Sequence, residues 1–310
     1  RFYGLLDSGC CNYFNPGLKR PGENEPGRKF PGEKRAWGSD GKRFQPFTPD
    51  RKNFYATDAF TEQAIDYLDQ YAKSEKPFFL YLPYTAPHFP IHARPADIAR
   101  YRGKYLEGWD VIREQRYSRL VDSGLIRKRW ELSSRDPEVP AWEDLDDDER
   151  RKWDLYMAVY AAMIDRMDQG IGKILRKVRE LGVEENTLVM FLSDNGACAE
   201  DDAAFDTTVR GIPPGSLESY RTQGAPWANL SNVPFRKFKW WLYEGGIASP
   251  LIVHWPQVIK RGGVVTDQVG HIMDLMPTFL EIAGVEYPAS KQDRKLTPLE
   301  GLSLLPILEG

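Results

Sequence analysis

Apolar residues recur at helical spacing over several stretches of the chain and gather into short runs between them. From 57 to 73, Phe60, Ala64, Leu68 and Ala72 fall on one face, with Thr57 or Asp58 placed to cap the first turn. The longest stripe covers 154–181: Met157, Tyr160, Ile164, Met167, Ile171, Ile174, Val178 and Leu181 share a side, and Gly182 fits the stop. Such a methionine-bearing stripe reads as core packing rather than a cofactor box. A further helix is predicted over 274–283, closing at Gly284.

The short runs read as strands. Phe78–Leu82 is aromatic and apolar throughout, as expected of a strand buried on both faces. Residues 187–192 and 251–254 are rich in β-formers. Strand, helix and strand alternating with short joins predict an α/β fold, a mostly parallel sheet flanked by helices. Residues 15–53, rich in Pro, Gly, Lys and Arg with little periodicity, read as an exposed loop region or loose hairpins. Residues 94–150 read as a charged helical excursion that packs on the core through Trp109, Trp130 and Trp142. Its acidic stretch, Glu143 to Glu149, reads as a solvated helix start rather than a ligand cluster.

Composition narrows the field of functions. The chain has 310 residues, 41% hydrophobic and 28% charged, a globular profile with room for a full core. A net charge of −3 provides no general attraction to nucleic acid or anionic membrane, so an anionic substrate needs a local site. Cys10, Cys11 and Cys198 are too few for a disulfide framework and lie in no zinc-binding pattern. No apolar run reaches the ~20 residues that span a bilayer. The chain starts at Arg1 without an initiator Met and stops within an apolar segment at Gly310, so both ends read as cut.

In sheets of this kind ligands bind beyond the carboxyl ends of the strands. Two predicted strands run into polar motifs there, Tyr84–Pro90 and Ser193–Gly196. Asp194 and Asn195 offer two hard oxygens in one turn, suited to Ca²⁺ or Mg²⁺, and Gly196 permits the sharp bend. The same residues also make an ordinary Asx turn. His88, between Pro87 and Pro90, is placed either to deliver a proton or to anchor its loop on a carbonyl. Lys239 is placed either to neutralise an anionic oxygen or to join Arg236 and Lys237 in a solvated basic face. Gly245 and Gly246 indicate close backbone approach. His92 reads as peripheral, and His254 and His271 as structural hydrogen-bonders. Glu200, Asp201 and Asp202 read as a further ligand source or a solvated loop, and Tyr220 and Trp227 as rings that stack on substrate or pin their loops.

Taken together, these segments resemble the type I sulfatases of the alkaline-phosphatase-like superfamily, nearest to bacterial arylsulfatases. The matching stretches are Asp7–Pro16, Tyr55–Ile65, Tyr84–Pro90, Tyr160–Gly172, Phe191–Ala197, Phe238–Gly246 and His271–Thr278, in family order along nearly the whole chain. The resemblance implies an alkaline-phosphatase-like fold and hydrolysis of an aryl or carbohydrate sulfate ester. It implies Asp194 and Asn195 as ligands to calcium, and His88 as the group that contacts the ester and protonates its leaving oxygen. It implies Lys239, five residues before Glu244, as the sulfate-binding lysine.

One part of the family pattern is missing. The family nucleophile is a formylglycine made within C-x-P-S-R or C-x-A-G-R, and none of Cys10, Cys11 and Cys198 sits in such a motif. The expectation is therefore a partial catalytic domain over 1–310, with nucleophile and remaining calcium ligands upstream of residue 1, and the C-terminal subdomain largely absent. Such a piece is expected to be inactive alone. Export to the periplasm or outside the cell is implied by the resemblance alone. Two rivals keep the fold: a phosphonate or phosphate monoester hydrolase, and a catalytically dead glycan-binding relative.

Overall fold

A computed structural model describes residues 1–6, 12–18, 36–71, 74, 76–200 and 211–310. Its first elements are β1 (Tyr3–Leu5), β2 (Trp37–Ser39), β3 (Lys42–Phe44), α1 (Ala56–Tyr71), α2 (Pro95–Ala99), α3 (Gly108–Asp122) and α4 (Asp147–Glu180). They continue with β4 (Val189–Leu192), α5 (Gly224–Ser231), α6 (Glu244–Ile247), β5 (Leu251–His254), α7 (Leu275–Ile282), β6 (Ser290–Lys291), β7 (Arg294–Lys295) and α8 (Leu305–Glu309). Two compact units result: residues 1–181 with 195–248, and residues 182–194 with 249–310.

The larger unit is organised by α4. Asp146 caps it through a full capping box with Glu149, so the acidic stretch is a helix start. Gly182, at φ +70°, ends the helical path. Met157, Met163 and Met167 are buried in the core, while Ile164 faces solvent, so the apolar face is rotated from the predicted stripe. Helix α1 crosses α4 where Gly170 leaves no room for a side chain, since a Cβ there would lie 2.5 Å from the Thr61 hydroxyl. The crossing is locked by Arg166, which donates to both carboxylate oxygens of Asp58 at 2.7 Å. Asp58 is thus used between helices, and α1 begins ahead of the predicted caps.

The region 15–53 is anchored more firmly than its composition predicts. Strands β1, β2 and β3 form an antiparallel sheet, and Trp37 is buried. Its indole stacks on Phe47 at 4.7 Å and on Phe60 at 5.4 Å. Residues 19–35 lie outside the described set. The excursion 94–150 does pack through its tryptophans. Trp109 meets Trp142, Trp153 and Trp227 edge-on at ring distances of 4.7, 5.6 and 5.4 Å. Trp130 meets Phe235 at 5.8 Å.

In the smaller unit β4 pairs with β5, from Val189 opposite His254 to Leu192 opposite Leu251. Helix α7 follows a short 3-10 turn at Ile272–Asp274. The Asp274 carboxylate accepts from the backbone of His271 at 2.7 Å and of Leu302 at 2.9 Å, which pulls it below the usual carboxylate range.

Helices and strands are mixed as expected of an α/β chain, but two features differ from the sequence reading. The ladders among the described residues all run antiparallel, whereas alternation predicted a mostly parallel sheet. Among the described residues Phe78–Leu82 is assigned to no strand, and Phe79 and Tyr81 are 72% and 76% exposed. A strand needs a neighbour for its backbone groups, and apolarity alone does not provide one. No described helix is long and apolar enough to cross a membrane.

Candidate active site

The loop carrying His88 is fixed at several points. The Tyr84 hydroxyl meets the Thr61 hydroxyl at 2.7 Å, which ties the loop to α1. Tyr13 donates to the His88 carbonyl at 3.0 Å, and the His88 N–H donates to the Thr85 carbonyl at 2.9 Å. The peptide bonds Ala86–Pro87 and Phe89–Pro90 on either side are both cis.

The partners of the imidazole define its tautomer. Nδ1 lies 2.8 Å from the Phe89 carbonyl, which only accepts, so Nδ1 carries the hydrogen. Nε2 then offers a lone pair, and the Lys239 ammonium donates to it at 3.2 Å. One nitrogen therefore anchors the loop on a carbonyl, as one of the two readings of His88 expects, and the other faces a cation.

The basic run 236–239 separates into distinct environments. Arg236 lies over the Tyr243 ring at 4.1 Å. Lys237 pairs with buried Asp136 at 2.9 Å and is structural. Lys239 alone of these turns to His88. The run is therefore not a uniform solvated face. Lys237 at φ +65° and Trp240 at φ +83° twist the backbone on each side, a conformation rare for side chains of this size.

Gly196 approaches this loop through bare backbone. Gly196 donates to the Gly246 carbonyl at 3.0 Å, and a Cβ on Gly196 would stand 1.8 Å from the Gly245 carbonyl oxygen. A Cβ on Gly245 would stand 2.2 Å from the Lys237 carbonyl oxygen. The close approach read from the glycine pair is thus backbone against backbone. The Lys239 N–H donates to the Ala197 carbonyl at 3.1 Å, joining turn and lysine directly.

Asn195 donates from its amide nitrogen to the Gly196 carbonyl at 2.9 Å, and its amide oxygen is of the hard kind. Asp194, the preceding residue, is exposed. These hard oxygens suit calcium in kind. Among the described residues no group of three or more His, Cys, Asp or Glu is arranged to hold a metal. Two ligands fall short of the about six oxygens that calcium takes, so the set here is partial.

Other candidates take different places. Glu200 accepts from the Trp240 indole N–H, while Asp201 and Asp202 lie outside the described residues, as do Cys10 and Cys11. His92 is buried rather than peripheral: Nε2 donates to the Ser219 carbonyl at 2.7 Å and Nδ1 accepts from Tyr13 N–H at 3.3 Å. Burial pushes its pKa down to about 4. His271 accepts from Met273 N–H as a helix cap. His254 lies 3.8 Å from Glu184. Trp227, on α5, is wholly buried with its indole donating to the Trp153 carbonyl, and Tyr220 is buried against Phe89, so both rings serve packing. Sequence reasoning missed Asn232, whose side chain touches both candidate segments. Its place just past α5 carries only the signal of an ordinary helix end.

Comparison with known proteins identifies the family. The profile of the family described as Sulfatase matches residues 13–285. The chain is 36% identical to an uncharacterized sulfatase of Schizosaccharomyces pombe over 253 residues, 77% of this chain and 45% of that protein. It is 31% identical to an arylsulfatase of Klebsiella aerogenes over 279 residues, 86% of this chain and 58% of that protein. It thus spans about half the length of the curated relatives it matches. A solved structure of Ps i-CgsB in complex with k-i-k-neocarrahexaose shares the fold, with a TM-score of 0.51 and 23% identity, over 87% of this chain and 41% of that one. With the family profile matched across most of its length, the chain belongs to the sulfatase family.

Proposed function

We propose that residues 1–310 are part of the catalytic domain of a sulfatase that hydrolyses sulfate monoesters to an alcohol and inorganic sulfate. The observation that carries this reading is the Lys239 ammonium resting on Nε2 of His88. A cation beside a histidine nitrogen on two tightly joined loops matches the needs of an anionic ester with a poor leaving group.

An arriving ester takes the ammonium onto a sulfate oxygen and frees Nε2. Its negative charge also favours uptake of a proton from solvent water by that nitrogen. His88 then gives the Nε2 proton to the departing alcohol oxygen, while Nδ1–H stays on the Phe89 carbonyl and keeps the ring in line. Asp194 and Asn195 would hold calcium, which supplies fixed positive charge for the sulfate oxygens when bound. Formylglycine, from outside these residues, supplies the nucleophile.

Aryl or carbohydrate sulfates are the proposed substrates. Trp240, one residue past Lys239 and 69% exposed, replaces Trp227 and Tyr220 as the ring placed to stack on them. A periplasmic or secreted location is proposed on the family resemblance, and cell fractionation of the full-length protein tests it. The activity test is turnover by the full-length protein of an aryl sulfate against the matching phosphate and phosphonate esters. Preference for sulfate by at least ~100-fold in kcat/KM supports the reading, since 1.4 kcal/mol of transition-state binding is about tenfold. Preference for either phosphorus ester assigns the scaffold to the other chemistry, and no turnover of any ester assigns it to binding. Residues 1–310 alone are expected to turn over none of them.

A further inference from the structure

Asn232 joins the two segments that carry the candidate ligands and the candidate sulfate lysine. Its side-chain oxygen accepts from the Ala197 N–H at 2.9 Å, and its side-chain nitrogen donates to the Lys237 carbonyl at 3.1 Å. The Ala197 carbonyl in turn accepts from the Lys239 N–H at 3.1 Å. These bonds close a ring through Asn232, Ala197 and the Lys237–Lys239 backbone. Ala197 follows the candidate ligand Asn195 by two residues, and Lys237 precedes Lys239 by two. The orientation of the amide follows from its partners, because an N–H needs the oxygen and a carbonyl needs the nitrogen.

Asn232 is itself held rigidly. Its N–H donates to the Ala228 carbonyl at 3.2 Å, and its carbonyl accepts from the Phe235 N–H at 2.8 Å. Both are backbone bonds, so the end of α5 does not depend on the side chain. The far side of the ring is equally fixed, with Lys237 paired to buried Asp136. An asparagine needed only as a helix end would have no use for a side chain that bridges two other segments.

We propose that Asn232 is a positioning residue that sets the distance between the candidate calcium ligand Asn195 and the candidate sulfate lysine Lys239, coupling metal affinity to sulfate affinity. The proposal rests on the sulfatase reading above. It acts through Asn195 and Lys239 and touches no substrate.

The test uses full-length protein with Asn232→Ala and Asn232→Asp. Calcium binding and inorganic sulfate binding are each measured by calorimetry, thermal midpoint by circular dichroism, and turnover on an aryl sulfate. Asn232→Ala is expected to weaken both calcium and sulfate by roughly tenfold while the protein stays folded, because both tethers are lost. Asn232→Asp keeps the acceptor for Ala197 but sets a carboxylate against the Lys237 carbonyl. It is expected to weaken sulfate at least about threefold more than calcium. If Asn232→Ala does not fold, this split in Asn232→Asp decides the matter. Both affinities within about twofold of wild type in folded Asn232→Ala, or equal losses in Asn232→Asp, overturn the proposal. A wild-type protein without sulfate-ester turnover defeats the functional reading instead, and is seen before any variant is made.

Discussion

The Lys239 ammonium donates to Nε2 of His88 across 3.2 Å, while Nδ1 of the same ring is committed to the Phe89 carbonyl. One imidazole nitrogen and one cation therefore meet at a single point. In full-length protein, His88→Ala and Lys239→Ala are each expected to lower kcat/KM on an aryl sulfate by roughly 10²- to 10³-fold. Because the groups touch, the double variant should lose less than the product of the single losses. Fully multiplicative losses would show that they act independently.

Gly196 meets the Gly245 carbonyl with no space for a methyl group. Gly196→Ala must push apart two backbones, and a loss of ~3 kcal/mol or more is expected. Calorimetric melting of the variant against wild type measures it. Gly182→Ala, where nothing crowds the added carbon, is expected to lose less, limited to the strain of a positive φ.

His92 is expected to make stability fall in mild acid. Burial lowers its folded pKa to about 4, against 6.5 for the free side chain. The unfolded chain therefore binds the extra proton between these values. The stabilisation is complete above pH 6.5 and is lost as pH falls toward 4, by about 3 kcal/mol. Denaturant titrations across that range should show His92→Gln with a shallower pH slope, by close to one proton. An unchanged slope would mean that His92 is not the sensor.

Two tryptophans should divide stability from specificity. Trp227→Ala empties the centre of the tryptophan cluster and is expected to destabilise by ~3–5 kcal/mol. Trp240→Ala removes a mostly exposed ring and is expected to leave the melting temperature nearly unchanged. Its kcat/KM should drop roughly 10-fold for a ring-bearing sulfate and little for a small alkyl sulfate, in keeping with the loss of one stacking contact. Equal drops on both substrates would remove Trp240 from substrate recognition.

The helices and the candidate chemistry were legible in the sequence for different reasons. Residues 154–181 announced α4 because a long amphipathic period survives any local perturbation, although the true face is turned from Ile164 toward Met163. His88, Lys239, Asp194 and Asn195 were legible through motif order rather than periodicity. The structure brings His88 and Lys239 together, and joins the backbone of Lys239 to the turn after Asn195. What stayed hidden depends on contacts distant in sequence. Asp58 looked like a cap and serves Arg166, His92 looked peripheral and lies in the core, and Asn232 looked like nothing in particular. No local pattern encodes a partner 108 residues away.

The aromatic segment Phe78–Leu82 has a practical consequence. Phe79 and Tyr81 are both mostly exposed, and two large rings so close together on a surface favour association with further copies of the chain. Preparations of residues 1–310 should therefore cloud with rising concentration. A charged residue at Tyr81 should delay that clouding without disturbing His88 or Lys239.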